Sequence, residues 1–172
     1  MTNFTEQNGD RIKEAVKKMA GFMDTECQVE LREELGQDGR VSLVISMYTP
    51  DNARFLIGKN GQNLKALEHL VRSMFMKPAR LPDGTQAGGD SKEVAGISVD
   101  VNDYKRARTS YIVDMAKQAV QRVRNTQKAE VLLPMSAYER RVVHMELAAC
   151  PDIATESAGD EPHRRIVIKP YP

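Results

Sequence analysis

Residues 55–64 constrain this chain more than any other stretch: Phe55-Leu56-Ile57-Gly58-Lys59-Asn60-Gly61-Gln62-Asn63-Leu64 sets two glycines three apart between two apolar helical patterns. Glycine takes positive φ without steric cost and lets other groups approach its backbone closely, so the pattern predicts helix, tight turn, helix. Gly61 opens the second helix, and the unsatisfied amides and positive dipole end of that helix then face whatever lies against the turn. Between Arg54 and Arg80 the chain carries six basic residues, Arg54, Lys59, Lys65, Arg72, Lys77 and Arg80, against one acid, Glu68. Open amides in a cationic neighbourhood suit a polyanion, with Gly58, Lys59, Asn60, Gly61, Arg54 and Lys65 as the contact residues.

The surrounding sequence frames that turn. Ile12, Ala15, Val16, Met19 and Ala20 share one face of a helix over residues 11–23, and residues 1–9 read as a flexible lead-in. Cys27, Val29 and Leu31 alternate as a strand, as do Val41, Leu43, Ile45 and Met47, and the turn between them holds Gly36 and Gly39, which predicts an antiparallel hairpin. Asp51 is placed to cap the short helix ending at Ile57. After the glycines, Leu64, Leu67, Leu70, Val71, Met74 and Phe75 recur at helical spacing as core residues. Residues 78–93, rich in Pro and Gly, read as an exposed loop, and Ile97, Val99 and Val101 alternate as a third strand.

A second unit begins at Asp103, placed to cap a helix that reaches about Thr126 with Ala107, Tyr111, Ile112, Met115, Ala119, Val120 and Val123 inward. Its other face carries Lys105, Arg106, Arg108, Lys117, Arg122, Arg124 and Lys128 beside a lone acid, Asp114. A stripe of this kind is usually a solvated helix face. After Val131-Leu132-Leu133 and Pro134, Ser136 and Glu139 form a capping box that fixes the start of another helix. Tyr138, Val142, Met145 and Leu147 are its expected inward residues, while Arg140 and His144 lie four apart on one face beside Arg141. Ile153 and Thr155, a turn from Gly159 to Pro162, and Arg164-Arg165-Ile166-Val167-Ile168 read as a closing hairpin.

Composition narrows the function classes. The 172 residues, 41% hydrophobic, suit one medium domain or two small ones with real cores. A net charge of +1 excludes a uniformly basic protein, so polyanion affinity has to be local, and residues 103–172 hold the cationic excess with 12 basic against 9 acidic groups. No apolar run resembles a signal segment or approaches the roughly 20 residues of a membrane span, which predicts a cytoplasmic protein without integral membrane association. Cys27 and Cys150 lack metal-ligand spacing to each other or to His69, His144 and His163, so both read as reduced structural residues, with no metal or other cofactor. There is no phosphate-binding P-loop, no supported Ser-His-Asp order and no carboxylate cluster for two metals, so no catalytic residue is assigned and the chain does not read as an enzyme. With no Trp, five Tyr and four Phe, a nucleic-acid groove here would be aliphatic rather than an aromatic platform.

The order helix, strand, strand, helix, glycine turn, helix, strand over residues 10–102, centred on Ile57-Gly58-x-x-Gly61-x-x-Leu64, resembles the type II KH domain. Arg140 and His144, within Leu133-Pro134-Met135-Ser136-Ala137-Tyr138-Glu139-Arg140-Arg141-Val142-Val143-His144, reproduce the Arg-x-x-x-His pattern of the R-three-H domain. The pair of domains, 10–102 and 103–172, is similar to the Jag/KhpB family of bacterial proteins, without a counterpart of the N-terminal Jag domain that many members carry. The resemblance implies an α+β fold, a three-stranded KH sheet packed on helices followed by a small unit of three strands and two helices.

It also implies binding of single-stranded nucleic acid by both domains, RNA chiefly and single-stranded DNA as a second ligand. Gly58, Lys59, Asn60 and Gly61 match the KH turn, and Arg140 and His144 match the second motif. Arg141, Arg164 and Arg165 join them by charge and placement. A competing expectation is an adaptor that pairs with another KH-domain protein, or with itself, and for which nucleic acid is secondary.

Overall fold

The computed structural model describes residues 3–35, 41–76 and 94–171 and divides into two compact units, Met1–Tyr104 and Lys105–Pro172. The turn with Gly36 and Gly39, the 78–93 loop, Lys77 and Arg80 lie outside the described residues.

In the first unit α1 spans Asn3–Gly21, β1 Gln28–Leu35, β2 Val41–Tyr48, α2 Ala53–Ile57, α3 Gln62–Phe75 and β3 Val94–Val101. β1 and β2 pair antiparallel, with Val29 opposite Met47 and Leu31 opposite Ile45. β3 joins the other edge of β2 in parallel, Val99 opposite Ile45, as a crossover through two helices requires. Alternation along the strands buries Leu43, Ile45, Met47, Ile97, Val99 and Val101 against Ile12, Val16 and Ala20 of α1 and Leu64, Leu67 and Val71 of α3. This is the α-β-β-α-α-β order and mixed sheet of a type II KH fold.

Three local expectations change. The helix begins at Asn3, not near Arg11, so residues expected as a flexible lead-in form its first turns; Thr5 is buried and Phe4 packs on the core. The residue before α2 is Asn52 in the left-handed conformation (φ 61), not Asp51, and it makes no side-chain cap. On α3 the buried arc is narrower than the apolar pattern: Leu70 and Met74 stay 52% and 57% exposed.

One polar device closes the sheet end from which α2 departs. The Asn102 side chain accepts from the Thr49 amide (3.0 Å) and donates to the Thr49 carbonyl (2.8 Å), tying the end of β2 to the end of β3. On α3, Glu68 accepts from the Val99 amide (3.0 Å) and Arg72 donates to the Ile97 carbonyl (2.6 Å), so both side chains hold the helix on β3.

In the second unit α4 runs Tyr104–Thr126, β4 Glu130–Val131, α5 Ala137–Leu147, β5 Ile153–Ala158 and β6 Arg165–Pro170, with strand order β4-β6-β5. Both pairings of β6 are antiparallel. Ile112, Ala116, Ala119, Val120 and Val123 of α4 meet Leu132, Val143, Leu147, Ile153, Ile166 and Ile168 in one core. Asp103 does precede α4, but with φ 55, outside the extended geometry of a side-chain cap. Ala107 is exposed and Tyr111 is 55% exposed, so the inward face of α4 starts later than the sequence pattern suggests.

Ser136 caps α5 as the sequence predicts: its hydroxyl accepts from the Glu139 amide (3.3 Å) and its own amide donates to the Glu139 carboxylate (2.6 Å). A box of this kind contributes about 1 kcal/mol to the helix. The inward face of α5 nevertheless differs from the expectation. Val143 and Leu147 are buried, together with Glu139 and Arg140, whereas Tyr138 and Met145 are 68% and 64% exposed.

Candidate nucleic-acid interface

The glycine turn is a short 3-10 segment, Lys59–Gly61, between α2 and α3. Gly58 has φ 70 and ψ 179, Asn60 φ 52 and Gly61 φ 77. Such a Gly58 backbone is essentially closed to other residues, while Asn tolerates the left-handed well at position 60. Packing adds a second requirement. A Cβ at Gly58 would lie 2.5 Å from the Asn63 side chain, and one at Gly61 would lie 3.1 Å from the Tyr104 ring. Asn63 is itself fixed by donating to the Phe55 carbonyl (2.8 Å). Gly58 is therefore demanded by its backbone and by Asn63, and Gly61 is favoured by its left-handed backbone and the nearby Tyr104 ring, before any ligand is considered.

What the turn offers a ligand is separate from that demand. Lys59 and Asn60 are exposed at its tip, and Lys65 is exposed on the following helix. Gly61 stands at the N-cap of α3 and has no side chain to satisfy the first-turn amides. Arg54 lies over the exposed Phe55 ring at 4.9 Å, a flat cationic and aromatic pair on α2. Arg72, counted among the basic neighbours in the sequence, is instead committed to Glu68 (2.9 Å) and β3.

In the second unit the chain from Leu132 to Met135 runs beside β6, with the Leu132 amide donating to the Ile166 carbonyl and the Met135 amide to the Arg164 carbonyl. That contact sets α5 against the hairpin of β5 and β6. Between them lies a cleft of about 660 Å³ lined by Ala137, Arg140, Arg141, His144, Met145, Ser157 and Ile166. Arg140 forms its floor. Only 8% exposed, it donates to the Met135 carbonyl (2.7 Å) and to the Glu161 carboxylate (2.7 Å), bracing the turn that follows β5. His144 is exposed, and its Nδ1 pairs with the Thr155 hydroxyl. Arg141 is exposed in the cleft, and Arg164 joins from the hairpin by donating to the Ser157 hydroxyl (3.0 Å). Neither Arg164 nor Arg165 is among the lining residues: Arg164 reaches the cleft only through Ser157, and Arg165 precedes Ile166 on β6 and donates to the His163 carbonyl (3.2 Å).

The basic stripe on α4 is largely internal to the unit. Arg108 pairs with Glu139 (2.8 Å), Lys117 with Glu146 (2.7 Å), Arg122 with Glu130 (2.6 Å) and Arg124 with Asp152 (2.6 Å). The hydrogen bond from Arg124 holds the Asp152 carboxyl below its usual range, and Lys169 does the same for Glu156. Glu130 follows just beyond the helix, and Glu139, Glu146 and Asp152 lie further along the chain, so none of the four acids falls within the stripe as read from sequence.

Sequence reasoning misses Asn63, Asn102 and Tyr104, which position the first site. None of them belongs to a periodic pattern or a short motif. Both cysteines are free thiols, and burial pushes the Cys27 pKa up.

The R-three-H domain family matches residues 111–170, which contain α5, the hairpin and the whole of the second cleft. Proteins named RNA-binding protein KhpB match further. That of Bacillus subtilis is 34% identical over 122 residues, 70% of this chain and 53% of its own length, and that of Clostridium symbiosum is 30% identical over 118 residues, 69% and 48%. Homologues of the Jag/KhpB family thus match most of this chain. The match to the Streptococcus pneumoniae member of this family, 26% identical, extends over 165 residues and 95% of the chain, so it takes in both units. The chain spans about half the length of these curated relatives. Among the described residues no helix is long and apolar enough to cross a membrane, and no group of three or more His, Cys, Asp or Glu is arranged to hold a metal ion.

Proposed function

We infer that the chain binds single-stranded RNA through two sites, the Gly58–Gly61 turn of the first unit and the Arg140–His144 cleft of the second, and serves RNA regulation or handling in the cytoplasm. The observation that carries this reading is the start of α3, which has no side-chain cap and whose Gln62 amide is turned back to the Lys59 carbonyl, presented beside the exposed Lys59 and Asn60. Amides at a helix start combined with a nearby cation favour phosphate, and a KH turn of this type clamps about four nucleotides of an unpaired strand. At this first site Arg54 and Lys65 supply further charge.

In the second cleft Arg141 and Arg164 are the outer phosphate contacts. Arg140 orders the floor, and His144 offers Nε2, since Nδ1 is engaged by Thr155. Arg165 lies at the margin. The names of the relatives support RNA over DNA, with single-stranded DNA the weaker ligand. Binding is the whole of the proposed activity; no catalytic step is assigned. Two linked sites gain effective concentration, so neither needs to be tight alone.

Fluorescence anisotropy of labelled single-stranded and duplex RNA at several salt concentrations tests this. The expected result is preference for single strands, with log affinity falling by about 0.7 per log unit of salt for each phosphate neutralised. Absent binding, or binding indifferent to salt, contradicts the reading.

A second reading rests on Leu70 and Met74, exposed four residues apart on α3. They favour a face for docking a KH-domain partner or a second copy of the chain. Light scattering on the chain alone and mixed with a KH-domain protein tests it, and a strict monomer in both cases removes it.

A further inference from the structure

A second cleft in the Lys105–Pro172 unit, about 430 Å³, is left unused by the two sites above. It is lined by Lys105, Arg106, Thr109 and Ser110 of α4 and by Tyr138 of α5. Tyr138 is 68% exposed at the second position of α5, a large ring left to solvent where the apolar pattern alone would bury it. The backbone beneath it is held firmly. The capping box of Ser136 and Glu139 fixes this turn, and the ion pair of Arg108 with Glu139 (2.8 Å) ties it to α4. The ring is thus an exposed aromatic on a rigid support, next to two cations and two hydroxyls, of which that of Thr109 donates to the Lys105 carbonyl (2.8 Å) and keeps its acceptor side.

That combination matches the needs of one nucleotide. An aromatic face stacks any base, lysine and arginine meet phosphate, and hydroxyls serve sugar or base edges. Its location matters as much as its composition. Ala137, the residue before Tyr138, lines the Arg140–His144 cleft, and so does Arg141, three residues beyond Tyr138 on α5. The two clefts therefore share the first turns of one helix.

We propose that an RNA strand bound at the Arg140–His144 cleft continues across the start of α5 into this second cleft, where one base stacks on Tyr138 and the adjoining phosphate meets Lys105 and Arg106. The proposal rests on the RNA-binding reading and adds a subsite to it. A single ring supplies the stacking, without the multi-aromatic platform whose absence the composition predicts.

The test is anisotropy of labelled single-stranded RNA with the full chain, comparing wild type, Tyr138→Ala, Tyr138→Phe and the double variant Lys105→Ala/Arg106→Ala. Loss of one stacked base is expected to weaken Tyr138→Ala about fivefold or more, with Tyr138→Phe close to wild type. The double variant is expected to lower the slope of log affinity against log salt by about 0.7 for the phosphate released. Because all three side chains are exposed, thermal unfolding is expected to stay at the wild-type temperature. Wild-type binding with Tyr138→Ala unchanged overturns this subsite and leaves the two-site reading standing, as does a Tyr138→Phe variant as weak as Tyr138→Ala. A wild type that binds no single strands removes both.

Discussion

Replacing Lys59 and Asn60 together with aspartate is expected to lower affinity for single-stranded RNA by more than about tenfold at moderate salt, without unfolding the first unit. The change removes one cation and sets two carboxylates at the mouth of the turn, so each phosphate approaching the start of α3 meets repulsion where it met attraction. Both positions are exposed, and aspartate tolerates the left-handed backbone that Asn60 adopts (φ 52), so the change is compatible with the turn's backbone. Gly58 is a poorer choice for this experiment. Its Cβ would collide with Asn63, and the loss of binding would then report a damaged turn. Circular dichroism and thermal unfolding of the double variant provide the control. An unchanged affinity with an intact fold would mean that the turn is purely structural.

The second large effect concerns Arg140. Truncation to alanine is expected to destabilise the Lys105–Pro172 unit by about 2 kcal/mol, because the Met135 carbonyl loses a buried charged donor and the Glu161 carboxylate loses its partner. The penalty stays below that of a fully buried pair because Glu161 is 58% exposed and regains water. Lysine is not expected to restore stability, since one ammonium at the end of a flexible stem cannot reproduce the planar fork that reaches both acceptors. Arg141→Ala and Arg164→Ala should behave in the opposite way, weakening RNA binding several-fold while leaving the unfolding midpoint near wild type. Denaturant titration and anisotropy on the same three proteins separate the roles. If Arg140→Ala kept full stability and lost only RNA affinity, Arg140 would be a direct contact and not the floor of the cleft.

Those expectations show how far a one-dimensional pattern carries. The glycine turn, the pairing of β1 with β2, the capping box at Ser136 and the order of elements are local signals, and the structure places each where the sequence predicts. Helix phase was harder to read. On α5 the apolar residues Tyr138, Val142, Val143, Met145 and Leu147 are compatible with more than one inward face. The choice is made by the hairpin and by the pairing of Glu139 with Arg108 and Arg140 with Glu161, which lets two charged residues occupy buried positions. On α3 the pattern includes Leu70 and Met74, but only Leu64, Leu67 and Val71 are buried, with Phe75 packed partly against the same core.

The candidate sites divide along the same line. Lys59, Asn60 and His144 belong to short motifs and Arg141 adjoins one, and the structure leaves all four exposed. Arg122 and Arg124 have the same charge in the sequence but are committed to Glu130 and Asp152, which lie beyond α4, and Arg72 is committed to Glu68 one turn earlier on α3. Asn63, Asn102 and Tyr104 gain their roles entirely from tertiary neighbours: an amide that pins α3 to α2, an amide that clamps β2 to β3, and a ring that abuts Gly61.

The most direct test of the two-site claim is residue-resolved mapping by NMR, following backbone amides of the labelled full chain as unlabelled single-stranded RNA is added. The account predicts two groups of shifted amides, one at residues 58–64 and one at residues 137–144 with Ser157, Arg164 and the adjoining residues 105–110, while the α4 amides over 117–124 stay in place. Perturbations confined to other surfaces, or restricted to the paired cations of α4, would contradict it.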